Sequence, residues 1–359
     1  MADTLTIQSH RGPYSVVEVP SVAAVAAELA VHERPWSLLI DARVAALHAE
    51  ALAPVLARTH VVLIEATEHN KALAQMEAHV DALMERGAKR DHLLVAIGGG
   101  ILQDITCFLA STLFRGMDWA LVPTTLLAQA DSCIGSKSSI NVGRYKNLMG
   151  TFVPPLRILM CAEFLRTLDE VEVRSGIGEI LKVHLLAGPA AFDAIARQDL
   201  LTDPAALRAA TWAALRIKQR YIELDEFDRG PRNVMNYGHS FGHALESATA
   251  FGVPHGIAVT IGMDLANEVA CWRGGLSAAR RDAIRGSLRR YSAPYHGTAV
   301  PLGEFFAALG RDKKNEGTRF AFILLDGAGV ASKVFVDDSP ALREVCAAFF
   351  AGLASGASA

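Results

Sequence analysis

The run HLLVAIGGG (92–100) constrains the fold of this chain more than any other segment. Five consecutive apolar residues lead into three glycines, and an apolar helical stretch, ILQDITCFLASTLF (101–114), follows at once. A short unbroken apolar run reads as a strand buried on both faces. Glycines directly after it make a tight strand-to-helix turn. Backbone N–H groups at such a turn can approach a pyrophosphate, and the following helix N-terminus adds positive dipole. The wording GGGILQD is not GxGxxG, so a plain tight turn is the equal alternative.

The same texture repeats through the first half. SLLIDA (37–42), VVLIEA (61–66) and WALVPTT (119–125) read as strands, and VAALHAEALAPVLA (44–57) and HNKALAQMEAHVDALMERG (69–87) read as helices. Strands alternating with helices predict a mostly parallel sheet covered on both faces. After about residue 160 helical periods dominate, in 164–187, 206–226, 240–250, 256–272 and 277–291, and only FAFILL (320–325) and KVFV (333–336) look extended. The expected plan is an α/β domain over 1–173 and a mainly α-helical domain over 174–359. A chain of 359 residues, 51% of them hydrophobic, can fill two such cores.

A net charge of −3 gives no global field toward nucleic acid. The five cysteines are scattered, odd in number and form no CxxC, which argues against a disulfide framework and favours the cytoplasm. The N-terminus lacks an apolar signal core, and no run of about 18 apolar residues predicts a membrane span. The tail AGLASGASA (351–359) reads as a frayed end.

Three sets of residues carry chemistry. His239 and His243, in GHSFGH, stand at i and i+4, so a helix presents them on one face. His255 follows in PHG, and Glu179 lies upstream in SGIGEILK. Imidazole plus carboxylate suits a catalytic divalent metal with an open coordination position. Against this, Glu179 with Lys182 could be only a helix-surface ion pair. Asp41, ending a strand, could take a ribose hydroxyl or simply cap a helix. A set of cations (Arg115, Lys137, Lys146, Lys182, Lys218, Arg232, Lys313 and Lys314) suits an anionic substrate, though any one of them could be a solvated charge. That bland reading weakens for Lys182 and Lys218, whose helices are otherwise apolar.

The blocks GGGILQDITCFLASTLFRG, VPTTLLAQADSCIGSK, YKNLMGTF, RSGIGEILK, LDEFDRGPRNVMNYGHSFGHALE, PHGIAVTIGM and DKKN follow in order over about residues 41–325. Together they resemble 3-dehydroquinate synthase and the wider sugar phosphate cyclase family. The resemblance implies a Rossmann-like NAD-binding α/β domain followed by an α-helical metal-binding domain, in a homodimer. It makes Glu179, His239 and His255 the ligands of Zn²⁺ or Co²⁺. His243 becomes a neighbouring proton-handling group, which revises the first reading of the pair. Arg115 (from the partner subunit), Lys137, Lys146, Asn147, Lys182 and Asn236 resemble the phosphate-side residues. Asp131 and Lys218 resemble those near the ring hydroxyls. Arg232 and Lys313 or Lys314 resemble those contacting the substrate carboxylate. Asp41, Glu68, Lys71, Gly99, Gly100, Asp104, Thr124 and Thr125 resemble the NAD contacts.

The implied reaction converts 3-deoxy-D-arabino-heptulosonate 7-phosphate to 3-dehydroquinate and phosphate by oxidation, elimination, reduction and intramolecular aldol closure. Gln103 and Ser136 depart from the family's usual glycines and Ser138 from its usual threonine, and SSINVGRYKNLMGTFVPP is atypical wording. A divergent cyclase of secondary metabolism acting on sedoheptulose 7-phosphate is therefore the second reading. An NAD- and metal-dependent alcohol dehydrogenase ranks lower, because it would not need the dense lysines. A catalytically dead homologue ranks lower still, because no member of the metal or lysine set is missing.

Overall fold

The computed structural model describes residues 3–143 and 145–355; the last four residues of the 351–359 tail lie outside them. The chain forms two units, one from 3–169 with 218–228 and the other from 170–217 with 229–355. The sequence suggests a single boundary after 173. The chain instead leaves the first unit after Asp169, returns to it at Lys218 and leaves again after Asp228.

The first unit contains β1 (Thr4–Ile7), β2 (Tyr14–Glu18), α1 (Val22–Ala30), β3 (Trp36–Asp41), α2 (Ala42–Leu47), α3 (Ala49–Leu56), β4 (Val61–Ile64), α4 (Met76–Glu85), β5 (Leu93–Gly98), α5 (Gly100–Thr112), β6 (Trp119–Pro123), β7 (Ile140–Val142), β8 (Tyr145–Met149) and β9 (Arg157–Met160). Seven strands make one sheet in the order β1-β2-β9-β6-β5-β3-β4. Only the β1–β2 pair is antiparallel. Every residue of β5 and β6 is buried, as a strand covered on both faces requires. From β3 the chain steps outward to β4, then returns to the opposite side of β3 to lay down β5 and β6. That reversal is a topological switch point, where open α/β sheets offer a crevice beyond the strand ends. Asp41 ends β3 and the three glycines end β5, so the fold delivers both to this crevice.

Two expected helices come out shorter. The 44–57 stretch divides at His48, whose φ of −118° is not helical and whose Nε2 lies 3.2 Å from Thr167 Oγ1. In 69–87 only Met76–Glu85 is α-helical. Upstream, Asn141 donates its backbone N–H to the Lys71 carbonyl at 3.2 Å, and the buried Lys71 ammonium pairs with Asp104. A tertiary pairing outweighs the local helical period there.

The second unit contains α6 (Glu170–Leu186), α7 (Pro189–Ala196), α8 (Pro204–Leu224, whose end belongs to the first unit), α9 (His239–Ala248), α10 (His255–Trp272), α11 (Ala278–Ser292), α12 (Leu302–Gly310), β10 (Arg319–Leu325), β11 (Ala331–Asp337) and α13 (Pro340–Ala354). The helix expected over 164–187 begins as a 3₁₀ turn at Ala162–Thr167, and α6 starts only at Glu170. Glycines let α6, α9 and α10 meet backbone to backbone. A Cβ on Gly178 would stand 2.5 Å from the Gly256 carbonyl oxygen, and one on Gly262 would stand 2.2 Å from that of Gly238. No helix among the described residues is long and apolar enough to cross a membrane.

Candidate active site

The close approach of α6, α9 and α10 gathers the histidines and Glu179. His239 and His255 begin α9 and α10, and Glu179 lies within α6. Coordinating atoms of His239, His243 and His255 lie within 4.8 Å of one another. Glu179 Oε1 is 3.7 Å from His239 Nε2 and 3.8 Å from His255 Nε2. Glu179 also pairs with Lys182, and both are fully buried, at 1% and 2% exposure. They are not the surface ion pair that the spacing alone allowed.

The ring nitrogens sort the three histidines. His239 Nδ1 sits 3.1 Å from the Tyr237 carbonyl oxygen, and His255 Nδ1 sits 3.2 Å from Glu246 Oε2. Each Nδ1 then carries the proton, and each Nε2 lone pair is free toward Glu179. Metal-binding histidines are oriented in this way by carboxylates and carbonyls. No hydrogen bond among the described residues fixes the His243 ring, which packs edge-on to His239 at 5.4 Å and beside His255 at 5.6 Å. Burial, then Lys182 and the neighbouring imidazoles, hold His239 well below the usual imidazole range. Burial, then His255, brings His243 down to about 4. Burial opposes a charge on His255, but Glu246 and Glu179 outweigh it and raise that ring. Glu246 was not singled out from the sequence, although its place at i+3 from His243 and i+7 from His239 was a readable signal.

Beside this cluster, a 3₁₀ segment (Pro231–Asn236) carries Arg232, which is buried, and Asn236, which donates to the Asn233 carbonyl at 3.0 Å. Asn233, Asn236, Ser240 and Lys314 line one hollow together with Ala321, Ile323 and Lys333. Lys314 lies 3.8 Å from Asp312, while Lys313 is exposed outside the hollow.

In the first unit, α5 starts at Gly100 with Gly99 at its cap position, so no side chain occupies the helix N-terminus. A Cβ on Gly99 would come within 2.9 Å of Thr125 Cγ2. Thr124 Oγ1 is buried and has no hydrogen-bond partner among the described residues. Asp41 caps α2, accepting from Arg43 N at 2.9 Å, which realises the capping alternative. Lys71 and Asp104 pair at 2.6 Å, and Ser139 donates to both Asp104 oxygens. Burial outweighs these partners and raises the Asp104 carboxyl. Burial would raise Glu68 too, but Asn141, Lys146 and Lys71 hold it low, with Asn141 Nδ2 at 2.7 Å and Lys146 Nζ at 3.4 Å.

Asn147, at φ 53°, donates its backbone N–H to Asn141 Oδ1. Lys218, buried, pairs with Asp131 at 2.9 Å, and Lys137 pairs with Asp228. Arg115, at φ 67°, is exposed and makes no ion pair among the described residues. The departures Gln103 and Ser136 make side-chain bonds that glycine could not: Gln103 Nε2 donates to the Ser132 carbonyl at 2.6 Å, and Ser136 Oγ donates to Glu226. Ser138 Oγ bonds Thr151 Oγ1 at 2.8 Å.

A parallel sheet with a glycine turn at its switch point, joined to a helical unit built round a His–carboxylate cluster, defines an enzyme architecture that other proteins share. The family pattern described as 3-dehydroquinate synthase N-terminal matches residues 61–175, and the C-terminal pattern matches 176–315. A 3-dehydroquinate synthase of Xanthomonas campestris pv. campestris (strain 8004) is 34% identical over 356 residues, spanning 93% of this chain and 95% of that protein. Among solved structures, the 2-epi-5-epi-valiolone synthase ValA of Streptomyces hygroscopicus subsp. jinggangensis 5008, with NAD⁺ and Zn²⁺ bound, superposes with a TM-score of 0.80 at 29% identity, covering 96% of this chain and 97% of that one. A 2-deoxy-scyllo-inosose synthase complexed with carbaglucose-6-phosphate, NAD⁺ and Co²⁺ shares the fold, with a TM-score of 0.81 at 22% identity over 96% of this chain and 99% of that one. The chain belongs to the 3-dehydroquinate synthase family, and it is a phosphate-eliminating sugar phosphate cyclase.

Proposed function

We propose that this enzyme converts 3-deoxy-D-arabino-heptulosonate 7-phosphate to 3-dehydroquinate and phosphate, using NAD and a divalent metal, Zn²⁺ or Co²⁺. The observation that carries the cyclase reading is the convergence of Glu179 Oε1 on His239 and His255, whose Nδ1 atoms are already engaged. That donor set fits a borderline metal and supports Glu179, His239 and His255 as its ligands. The uncapped α5 N-terminus, the contact a Gly99 Cβ would make and the unpartnered Thr124 hydroxyl support NAD in the first unit. Asp41, Glu68, Lys71, Gly100, Asp104 and Thr125 complete that assignment.

When bound, NAD⁺ accepts and returns a hydride while the metal polarises a hydroxyl and the carbonyl made from it. The chain's own groups do the rest. Arg115, Lys137, Lys146 and Lys182 offset the charge of the phosphate as it leaves, and Asn147 and Asn236 donate hydrogen bonds to it. Arg115 serves the neighbouring subunit of a homodimer. Asp131 and Lys218 hold ring hydroxyls. His243, kept neutral at pH 7 by burial, accepts a proton from a substrate hydroxyl. Buried Arg232 and a lysine of the Lys313/Lys314 pair bind the substrate carboxylate, which favours the acid substrate.

Likeness to ValA favours a second reading, a cyclase acting on sedoheptulose 7-phosphate. The test is phosphate release with NAD⁺ and Zn²⁺ or Co²⁺, offering each heptulose phosphate separately and identifying the products by mass spectrometry. Turnover of the acid to 3-dehydroquinate is expected. Turnover of sedoheptulose 7-phosphate alone would replace the first reading by the second.

A further inference from the structure

Lys333 carries chemistry that none of the assigned roles uses. It lies on β11, directly opposite Ile323 of β10, and the register places Arg319, Ala321 and Ile323 on the same face as Lys333, Phe335 and Asp337. The other face of β10 presents Phe322 to Phe241 of α9, with ring centroids 4.3 Å apart. On the opposite face Ala321 and Ile323 are buried and Lys333 is exposed, and all three line a hollow with Asn233, Asn236, Ser240 and Lys314. Lys333 Nζ stands 4.9 Å from the Phe335 ring, and Arg319 lies over the same ring, also at 4.9 Å. Phe335 thus gives the exposed Lys333 side chain a cation–π contact.

Lys314, Lys333, Asn233, Asn236 and Ser240 line the hollow with Ala321 and Ile323, and no acidic residue is among them. Asp312 accepts from the Lys314 backbone N–H with Oδ1, and its Oδ2 lies 3.4 Å from Ser240 Oγ and 3.8 Å from the Lys314 ammonium. Asp312 thus faces Lys314, whereas Lys333 makes no ion pair among the described residues and is open to an anion.

We propose that Lys333 is a second cationic contact for the substrate carboxylate, so that this hollow selects a carboxylate-bearing sugar phosphate over one without it. The inference rests on the function proposed above. Lys333→Ala should raise KM for 3-deoxy-D-arabino-heptulosonate 7-phosphate about tenfold with kcat within about twofold. The inhibition constant of sedoheptulose 7-phosphate and the melting temperature should stay unchanged. Lys333→Arg should restore most of the affinity. Unchanged KM in Lys333→Ala, or equal losses for both sugar phosphates, would overturn the role of Lys333 and leave the proposed function standing. Failure of the unmodified enzyme to turn over the acid would overturn the function and this inference together.

Discussion

At the residue scale, the outcome turns on which atom of each side chain is already engaged. His255 spends Nδ1 on Glu246, so Nε2 is presented toward Glu179. His255→Ala should abolish both metal binding and turnover. Glu246→Gln should keep the fold and weaken metal affinity about 10- to 100-fold, because the orienting carboxylate is gone; metal content after dialysis against a competing chelator reads both. A second residue-scale expectation concerns acid stability. His184 is buried in α6, with Nδ1 2.7 Å from the Ile180 carbonyl oxygen, and burial holds it below the usual imidazole value. The unfolded chain binds that proton more tightly, so the stabilisation is present above about pH 6.5 and is lost as pH falls toward the folded value. His184→Leu should flatten the decline of melting temperature between about pH 6.5 and 5; an unaltered slope would assign the acid limb to other groups.

At the element scale, the second unit depends on how closely its helices approach. Gly178 admits α10 against α6, and an added methyl would meet the Gly256 carbonyl oxygen at 2.5 Å. Gly178→Ala should cost about 1–3 kcal/mol in urea unfolding and weaken metal binding with it, since Glu179 is the next residue. Gly286, inside α11, has nothing within 4 Å of the corresponding position. Gly286→Ala should stabilise by about 0.5–1 kcal/mol. Two Gly→Ala changes of opposite sign separate helix propensity from helix packing.

At the scale of the whole molecule, the proposed metal ligands belong to the second unit and the proposed NAD contacts to the first, so each ligand should stabilise the native protein. Zn²⁺ at a hundredfold excess over its Kd should stabilise the protein by about 2.7 kcal/mol, and a chelator should reverse this. NAD⁺ should add a stabilisation of its own. A melting temperature that either ligand leaves unmoved would contradict the site proposed for it. Scanning calorimetry with each ligand alone distinguishes the cases.

Much of this was legible in the chain. The buried strand running into Gly98–Gly100 and the alternation around it determined the parallel sheet, because period and punctuation are local properties. The motif blocks pointed to candidate chemistry-bearing residues for the same reason. The sequence could not show that Lys71 leaves its expected helix to pair with Asp104, nor that the chain returns to the first unit at Lys218. Nor could it show that Asp41 is already engaged as a cap, or that Glu246 rather than a solvent molecule orients His255. Spacing put His239 and His243 on one face and the resemblance gave them different roles, but only the tertiary structure decided that, among the described residues, His239 alone of the two has its Nδ1 held by a carbonyl oxygen. That decision rests on hydrogen-bond geometry at single nitrogens and on backbone contacts at Gly178 and Gly256, none of which has a period to read.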